Sequence, residues 1–228
     1  MKMSIAFSCL AALALCTPVR GADFINLNFE QAQAPALQGP GLAFLDWGVG
    51  APGWSHSSGA DTGSIFYGTV HVGNTQWFAL TSAQSLPSLL LSGRYSFAFN
   101  SGYAAPSGPG SPFVQATLSQ TGTIPTDARS LRLRALGPLA VFLGDTPIAL
   151  HALGGDLYAG DIEAYSGQTF ELRLVNLSSG LSSPVAVDDI VFSPLAAVPE
   201  LPALPAFAAG LACLLAIRRQ RRPASRPR

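Results

Sequence analysis

The chain has 228 residues, 48% of them hydrophobic and 11% charged, and its 13 basic and 13 acidic residues cancel formally. The cancellation conceals a segregation: all thirteen acidic residues lie between Asp23 and Glu200 beside only five arginines, a formal charge of −8, while the other eight basic residues sit in the two tails. An acidic body repels phosphate backbones, so nucleic acid is excluded as an expected partner; Cys9, Cys16 and Cys213 all fall in terminal apolar segments, so the body is expected to fold without disulfides or thiolate-bound metal.

The first element is an export signal. Lys2 precedes an apolar core from Ile5 to Cys16, then Thr17, Pro18 and small residues, with Val19 and Gly21 at the −3 and −1 positions of a cleavage site. Residues 1–21 therefore read as a signal peptide, with Ala22 the first residue of the mature chain. The apolar core is too short to span a bilayer. Leu15 occupies the position before Cys16 where a lipidation signal needs a small residue.

Residues 22–197 read as one extracytoplasmic β domain. Short apolar or alternating runs are separated by Gly, Pro, Ser, Asn and Asp, and predict strands at Phe24–Phe29, Ser64–Tyr67, Gln76–Leu80, Tyr95–Asn100, Val114–Ser119, Ser130–Ala135, Ala140–Leu143, Thr169–Asn176 and Ala186–Phe192. SLRLR from Ser130 and ELRLV from Glu171 place leucines on one face and charges on the other, as in sheets with one wet face. A helical pattern occurs only around Asp161–Ser166 and suffices for one turn. About nine strands without βα alternation predict an all-β, antiparallel sandwich of jelly-roll type.

Chemistry-bearing residues are sparse. The only lysine, Lys2, lies in the signal, so the mature chain has no P-loop or Schiff-base lysine. His56, His71 and His151 are far apart, and HExxH and GxSxG are absent. Asp161 and Glu163 belong to a turn, and Asp188–Asp189, if extended, sends one carboxylate to each face. No catalytic or cofactor-binding residue is assigned. Trp47, Trp54, Trp77, Tyr67 and Tyr103 have the ring faces that stack on sugars, but aromatics also build β cores, and Trp54 after Pro52-Gly53 reads as core.

Asn28-Phe29-Glu30, Pro52-Gly53-Trp54, DIEAYSGQTFELRL from Asp161 and VDDIVF from Val187 follow one another in that order. Together they resemble the galactose-binding-like jelly rolls of carbohydrate-binding modules. The resemblance implies a structural calcium shared by an acid near the first strand and one in the last, which here are Glu30 and Asp188; oxygen ligands suit that hard cation.

The tail has three parts: Val198-Pro199-Glu200-Leu201-Pro202, an uncharged run from Leu201 to Ile217, and Arg218, Arg219, Arg221 and Arg222. The run predicts a short membrane helix over 203–217, and the arginines mark its cytoplasmic side, with 223–228 a basic tail. This arrangement over 198–222 resembles the PEP-CTERM sorting signal of Gram-negative bacteria, except that Leu201 stands where a second proline is usual. The resemblance implies an exosortase-type membrane peptidase as partner, transit through the inner membrane, and release to the cell surface or exopolysaccharide matrix. The expected role is structural or adhesive. The alternative is a carbohydrate-binding module for an extracellular polysaccharide, and a secreted hydrolase stands third.

Overall fold

The computed structural model describes residues 22–37, 41–57, 64–68, 74–104, 110–179 and 183–197. The signal over 1–21, His71, the motif Val198, Pro199 and Glu200, the 203–217 helix and the arginine cluster lie outside these residues. Among the described residues no helix is long and apolar enough to cross a membrane.

The strands are β1 (Leu42–Asp46), β2 (Ser55–Ser57), β3 (Ser64–Gly68), β4 (Trp77–Thr81), β5 (Ser96–Asn100), β6 (Gly102–Tyr103), β7 (Phe113–Val114), β8 (Thr117–Thr123), β9 (Ser130–Leu136), β10 (Leu139–Leu143), β11 (Thr146–Ile148), β12 (Leu150–Gly154), β13 (Leu157–Asp161), β14 (Thr169–Asn176) and β15 (Val185–Ser193). Eight form one sheet in the order β1-β3-β4-β5-β15-β9-β13-β12, five a second in the order β11-β10-β14-β8-β2, and β6 pairs with β7. One α-turn, Trp47–Gly50, and two 3-10 turns, Pro87–Leu89 and Glu163–Tyr165, complete the described elements. The sandwich is antiparallel apart from β3 against β4, which meet in parallel at Phe66 and Ala79.

Side-chain alternation assigns the faces. On β4 and β5, Phe78, Leu80, Phe97 and Phe99 point into the sandwich and join Leu131, Leu133 and Val187 from the same sheet and Leu118, Val141, Leu143, Leu172 and Leu174 from the other. The opposite face of the large sheet carries Trp77, Ala79, Ala98 and Ala186, over which Leu86, Leu89 and Leu91 pack. That face is therefore covered by a loop of the chain itself. The arginine-bearing strands alternate as their spacing predicts, with Leu131 and Leu133 buried and Arg132 and Arg134 half-buried between them. Gly144, at φ 58°, makes the two-residue turn that pairs Leu143 with Thr146.

Two departures from the expected pattern matter for the site. Phe24–Phe29 is not a strand, although its apolar residues alternate: Asn26 and Phe29 adopt left-handed backbone at φ 50° and 56°. Buried Asn26 makes a side-chain turn instead, accepting from the Gln31 amide at 3.0 Å and donating to the Pro52 carbonyl at 3.3 Å. Gln120 replaces a neighbouring strand, accepting from the Ile25 amide at 2.6 Å and donating to its carbonyl at 3.0 Å. The second departure is in β15, where the register against β9 shifts between Asp188 and Val191 and Asp189 lies at φ 46°. This β-bulge returns Ile190 to the core, so Asp188 and Asp189 do not alternate as an extended pair would.

Asn176 ties the two sheets together at the end of β14. Its amide nitrogen donates to the Phe99 carbonyl at 3.0 Å and the Ser183 carbonyl at 3.1 Å, and its oxygen accepts from the Ser178 amide at 2.8 Å. Removing a fully buried amide with three partners leaves those partners unpaired. Asn176→Ala is expected to cost about 2–4 kcal/mol, measured as a shift in the urea midpoint. Exposed neighbour Leu177 replaced by Ala should stay within about 0.5 kcal/mol; an equally small loss at Asn176 would show that the bridge does not hold the sheets.

Candidate functional site

The segment 26–32 crosses one end of the sandwich and delivers Glu30 to the start of β5. Phe29 anchors it, stacked between Trp54 at 5.5 Å and Phe97 at 5.3 Å, and the Trp54 indole donates to the Asn26 carbonyl at 3.0 Å. Trp54 is thus core, as its Pro-Gly context predicts. Glu30 Oε1 accepts from the Arg94 amide at 2.7 Å and the Tyr95 amide at 3.0 Å. Gly93, at φ 56°, lies so close that a Cβ there would collide with this carboxylate.

Asp188 lies nearby, beneath the covered face of the large sheet, with 1% of its surface exposed. The Ser96 hydroxyl donates to Oδ2 at 2.6 Å and the Asp189 amide to Oδ1 at 2.7 Å. Burial pushes the Asp188 carboxyl up to about 7; the Ser96 and Asp189 hydrogen bonds oppose this, and the charges of Asp189 and Glu30 add to it. Arg134 stands opposite Asp188 in the register of β9 but spends its guanidinium elsewhere, on Asp156 at 2.6 Å and Asp189 at 3.2 Å. The structure thus brings Glu30 and Asp188 into one electrostatic neighbourhood, where no arginine neutralises the buried carboxylate. Carboxylate oxygens are the donor chemistry of a hard cation, although the described residues contain no group of three or more His, Cys, Asp or Glu that could hold a metal.

The aromatic candidates separate by exposure. Trp54, Tyr67 and Trp77 are buried, and Trp77 is hidden by the loop over the outer face. Trp47 is half-buried, its indole stacked on His56 at 4.1 Å. Tyr103 alone of the five remains exposed, at 37%, beside Phe113 at 39%. The two face each other across β6 and β7 with ring centroids 6.1 Å apart at 86°. Hydrogen bonds pin this platform: the Tyr103 amide donates to the Asn74 carbonyl at 2.8 Å and its carbonyl accepts from the Gln76 amide at 3.1 Å. Gln115 is exposed on the following turn. Sequence reasoning missed Phe113 because it borders a Gly- and Pro-rich loop with no strand pattern.

A cleft of ≈ 350 Å³ opens beside the Glu30 contact, between the 34–36 segment and the 82–84 and 93–95 turns, with Tyr67, Tyr95 and Ser82 among its lining residues. The remaining ionisable candidates serve structure. Asp161 accepts from the Glu163 amide at 3.0 Å, and Glu163 pairs with Arg129 at 3.3 Å in solvent. His56 is on β2 of the smaller sheet, whereas His151 is exposed on β12 at the edge of the larger.

The raised Asp188 carboxyl sets a pH dependence. The folded state binds this proton more tightly than the unfolded chain does, so its contribution is complete below the ordinary aspartate range near 3.8 and is lost as pH rises through about 7. In EDTA, stability should fall by a few kcal/mol between about pH 5 and pH 8. Asp188→Asn, which keeps the shape and removes the charge, should flatten that profile in equilibrium urea unfolding. An unchanged profile would contradict the burial of an uncompensated carboxylate.

No protein-family model matches the chain, and no curated protein matches it. Among solved structures, it is similar to the crystal structure of Caldicellulosiruptor saccharolyticus CBM27-1 in complex with mannohexaose, at 12% identity over 69% of this chain and 99% of that one, with a TM-score of 0.34. A likeness at that level is too remote to transfer a ligand or a site.

Proposed function

We propose that this chain is an exported, non-catalytic jelly-roll protein that holds extracellular polysaccharide through the Tyr103–Phe113 platform. The observation that carries the reading is the contrast among aromatics: rings in the core are buried and satisfied, while this pair is exposed on a backbone fixed by hydrogen bonds from both sides. Exposed aromatic faces pack against the apolar faces of pyranose rings, and a platform already held in place loses little freedom on binding. Adhesion within an exopolysaccharide matrix is the physiological consequence. Export and sorting rest on the sequence: a signal over 1–21, and a tail in which Val198, Pro199 and Glu200 would be read by an exosortase-type peptidase while the 203–217 helix holds the chain at the membrane.

Calcium is the second part of the proposal. Glu30 and Asp188 would hold it, and it would neutralise Asp188 while fixing the 93–95 turn that Glu30 already grips. Binding only to the folded state raises stability by about 2.7 kcal/mol at a hundredfold excess over Kd. Millimolar calcium at pH 8 should therefore raise the melting temperature of the full-length protein by about 5–10 °C over EDTA, and Asp188→Asn should abolish the increment. No shift in the native protein would refute the cation.

The binding platform is tested by affinity electrophoresis of the full-length protein in gels containing neutral polysaccharides such as mannan and xylan. Tyr103→Ala and Phe113→Ala should each weaken retention about tenfold, the equivalent of roughly 1.4 kcal/mol. Phe44→Ala, which removes another exposed ring at the far edge of the large sheet, should leave retention intact. Equal losses in all three variants, or no retention by any neutral glycan, would sink the assignment.

A further inference from the structure

The body's five arginines are not equivalent. Arg129 pairs with Glu163, Arg134 with Asp156 and Asp189, and Arg173 with Asp145 and Glu171. Arg132 donates to the Ser130 hydroxyl at 3.3 Å and the Ala196 carbonyl at 3.4 Å. Arg94 is the exception: among the described residues its guanidinium has no hydrogen-bond or ion-pair partner and lies over the Tyr95 ring, 4.8 Å from the centroid. An uncommitted cation is unexpected in a body with a formal charge of −8.

Its position explains the exception. Arg94 lines the ≈ 350 Å³ cleft together with Gln84 and the Tyr67 and Ser82 hydroxyls, against the apolar 34–36 segment. The cation is also held in place. Glu30 grips its backbone amide at 2.7 Å, and the tyrosine ring supports the planar guanidinium without occupying its N–H donors. Opposite it, the Ser82 hydroxyl accepts from the Gln84 amide at 3.2 Å and meets the Tyr67 hydroxyl at 3.3 Å. The Ser85 amide also donates to the Ser82 hydroxyl at 3.1 Å, which leaves the Tyr67 hydroxyl proton as the one to offer a ligand. An apolar wall, an amide, that hydroxyl and one open guanidinium suit a sugar ring carrying a carboxylate.

We infer that this cleft is a second glycan site, specific for a terminal sugar that bears one carboxylate, such as a uronic acid at the end of an otherwise neutral chain. The volume lies at the lower end of the range for ligand pockets, which suits an end unit rather than a passing chain. The acidic body repels polyanions, which selects a single terminal charge over a polyuronate. The inference rests on the polysaccharide-binding reading but uses none of the residues of the Tyr103–Phe113 platform.

The test is calorimetric titration of the full-length protein with a glucuronate-capped xylo-oligosaccharide and with the same compound after reduction of its carboxyl to the alcohol. The native protein should bind the acid at least tenfold more tightly than the alcohol. Arg94→Met should erase the preference, Arg94→Lys should retain part of it, and Tyr103→Ala should leave it unchanged; an unaltered thermal melt verifies that each variant is folded. Equal affinity for acid and alcohol, or a preference that survives Arg94→Met, overturns the inference while leaving neutral-glycan binding at Tyr103 standing. Failure to bind these oligosaccharides, mannan or xylan overturns both.

Discussion

Beyond one parallel bridge from Asp23 to Thr123 of β8, the N-terminal segment of the domain pairs with no strand among the described residues, and the rest of this end of the sandwich depends on how its backbone is satisfied. Buried amides and carbonyls without partners cost roughly 1–3 kcal/mol each. Here side chains supply most of the partners: Gln120 serves both polar groups of Ile25 and the Trp54 indole serves Asn26, while the backbone amide of Ile190 serves the Leu27 carbonyl at 3.1 Å. Once Phe29 is wedged between Trp54 and Phe97, Glu30 has one place to go, and it caps the turn that begins β5. The same contact places a carboxylate beside Asp188 and positions Arg94 along the cleft. The looped segment, the Glu30 carboxylate and the cleft beside it thus share one anchor.

The bulge in β15 is the complementary device. A regular strand would bury Asp189 in the core; the extra residue keeps Ile190 inside and leaves both acids outside. Asp188 is nevertheless enclosed, because Leu86, Leu89 and Leu91 roof that face of the sheet. The result is a buried carboxylate whose ionisation is disfavoured first by burial and further by the charges of Asp189 and Glu30. That arrangement carries a cost that a proton on Asp188 relieves.

Much of the sandwich was legible because several strands carry their own pattern. β9, β14 and β15 alternate clearly or run apolar between turn residues, and each was found within about two residues. β1, β2 and β11 to β13 escaped notice: HALG and SHS have neither alternation nor bulk, and only pairing with stronger neighbours makes them strands. Phe24–Phe29 failed in the opposite direction, since its alternation reflects packing of a looped chain whose left-handed residues no periodicity reveals. For the site, motif order raised Glu30 and Asp188 as calcium candidates, which stands as a proposal. Ser96, Arg94 and Phe113 were not visible, because their significance comes from what the fold places beside them. Trp77 is core rather than a sugar-stacking ring because the loop that follows β4 folds back over it, a packing that periodicity does not show.

The most direct measurement of the shared anchor is native-state hydrogen exchange at the Arg94 and Tyr95 amides. Arg94 is exposed at the bend before β5 and Tyr95 is the buried residue that follows it. Among the described residues Glu30 Oε1 is the acceptor for both amides, so without it they would lose their hydrogen bonds and exchange faster. Slow exchange of both in the native protein, made fast by Glu30→Ala with the β9 and β14 amides still protected, is the required result. Fast exchange at these two amides in the unaltered protein would contradict the anchor on which the placement of Glu30 and the cleft both rest.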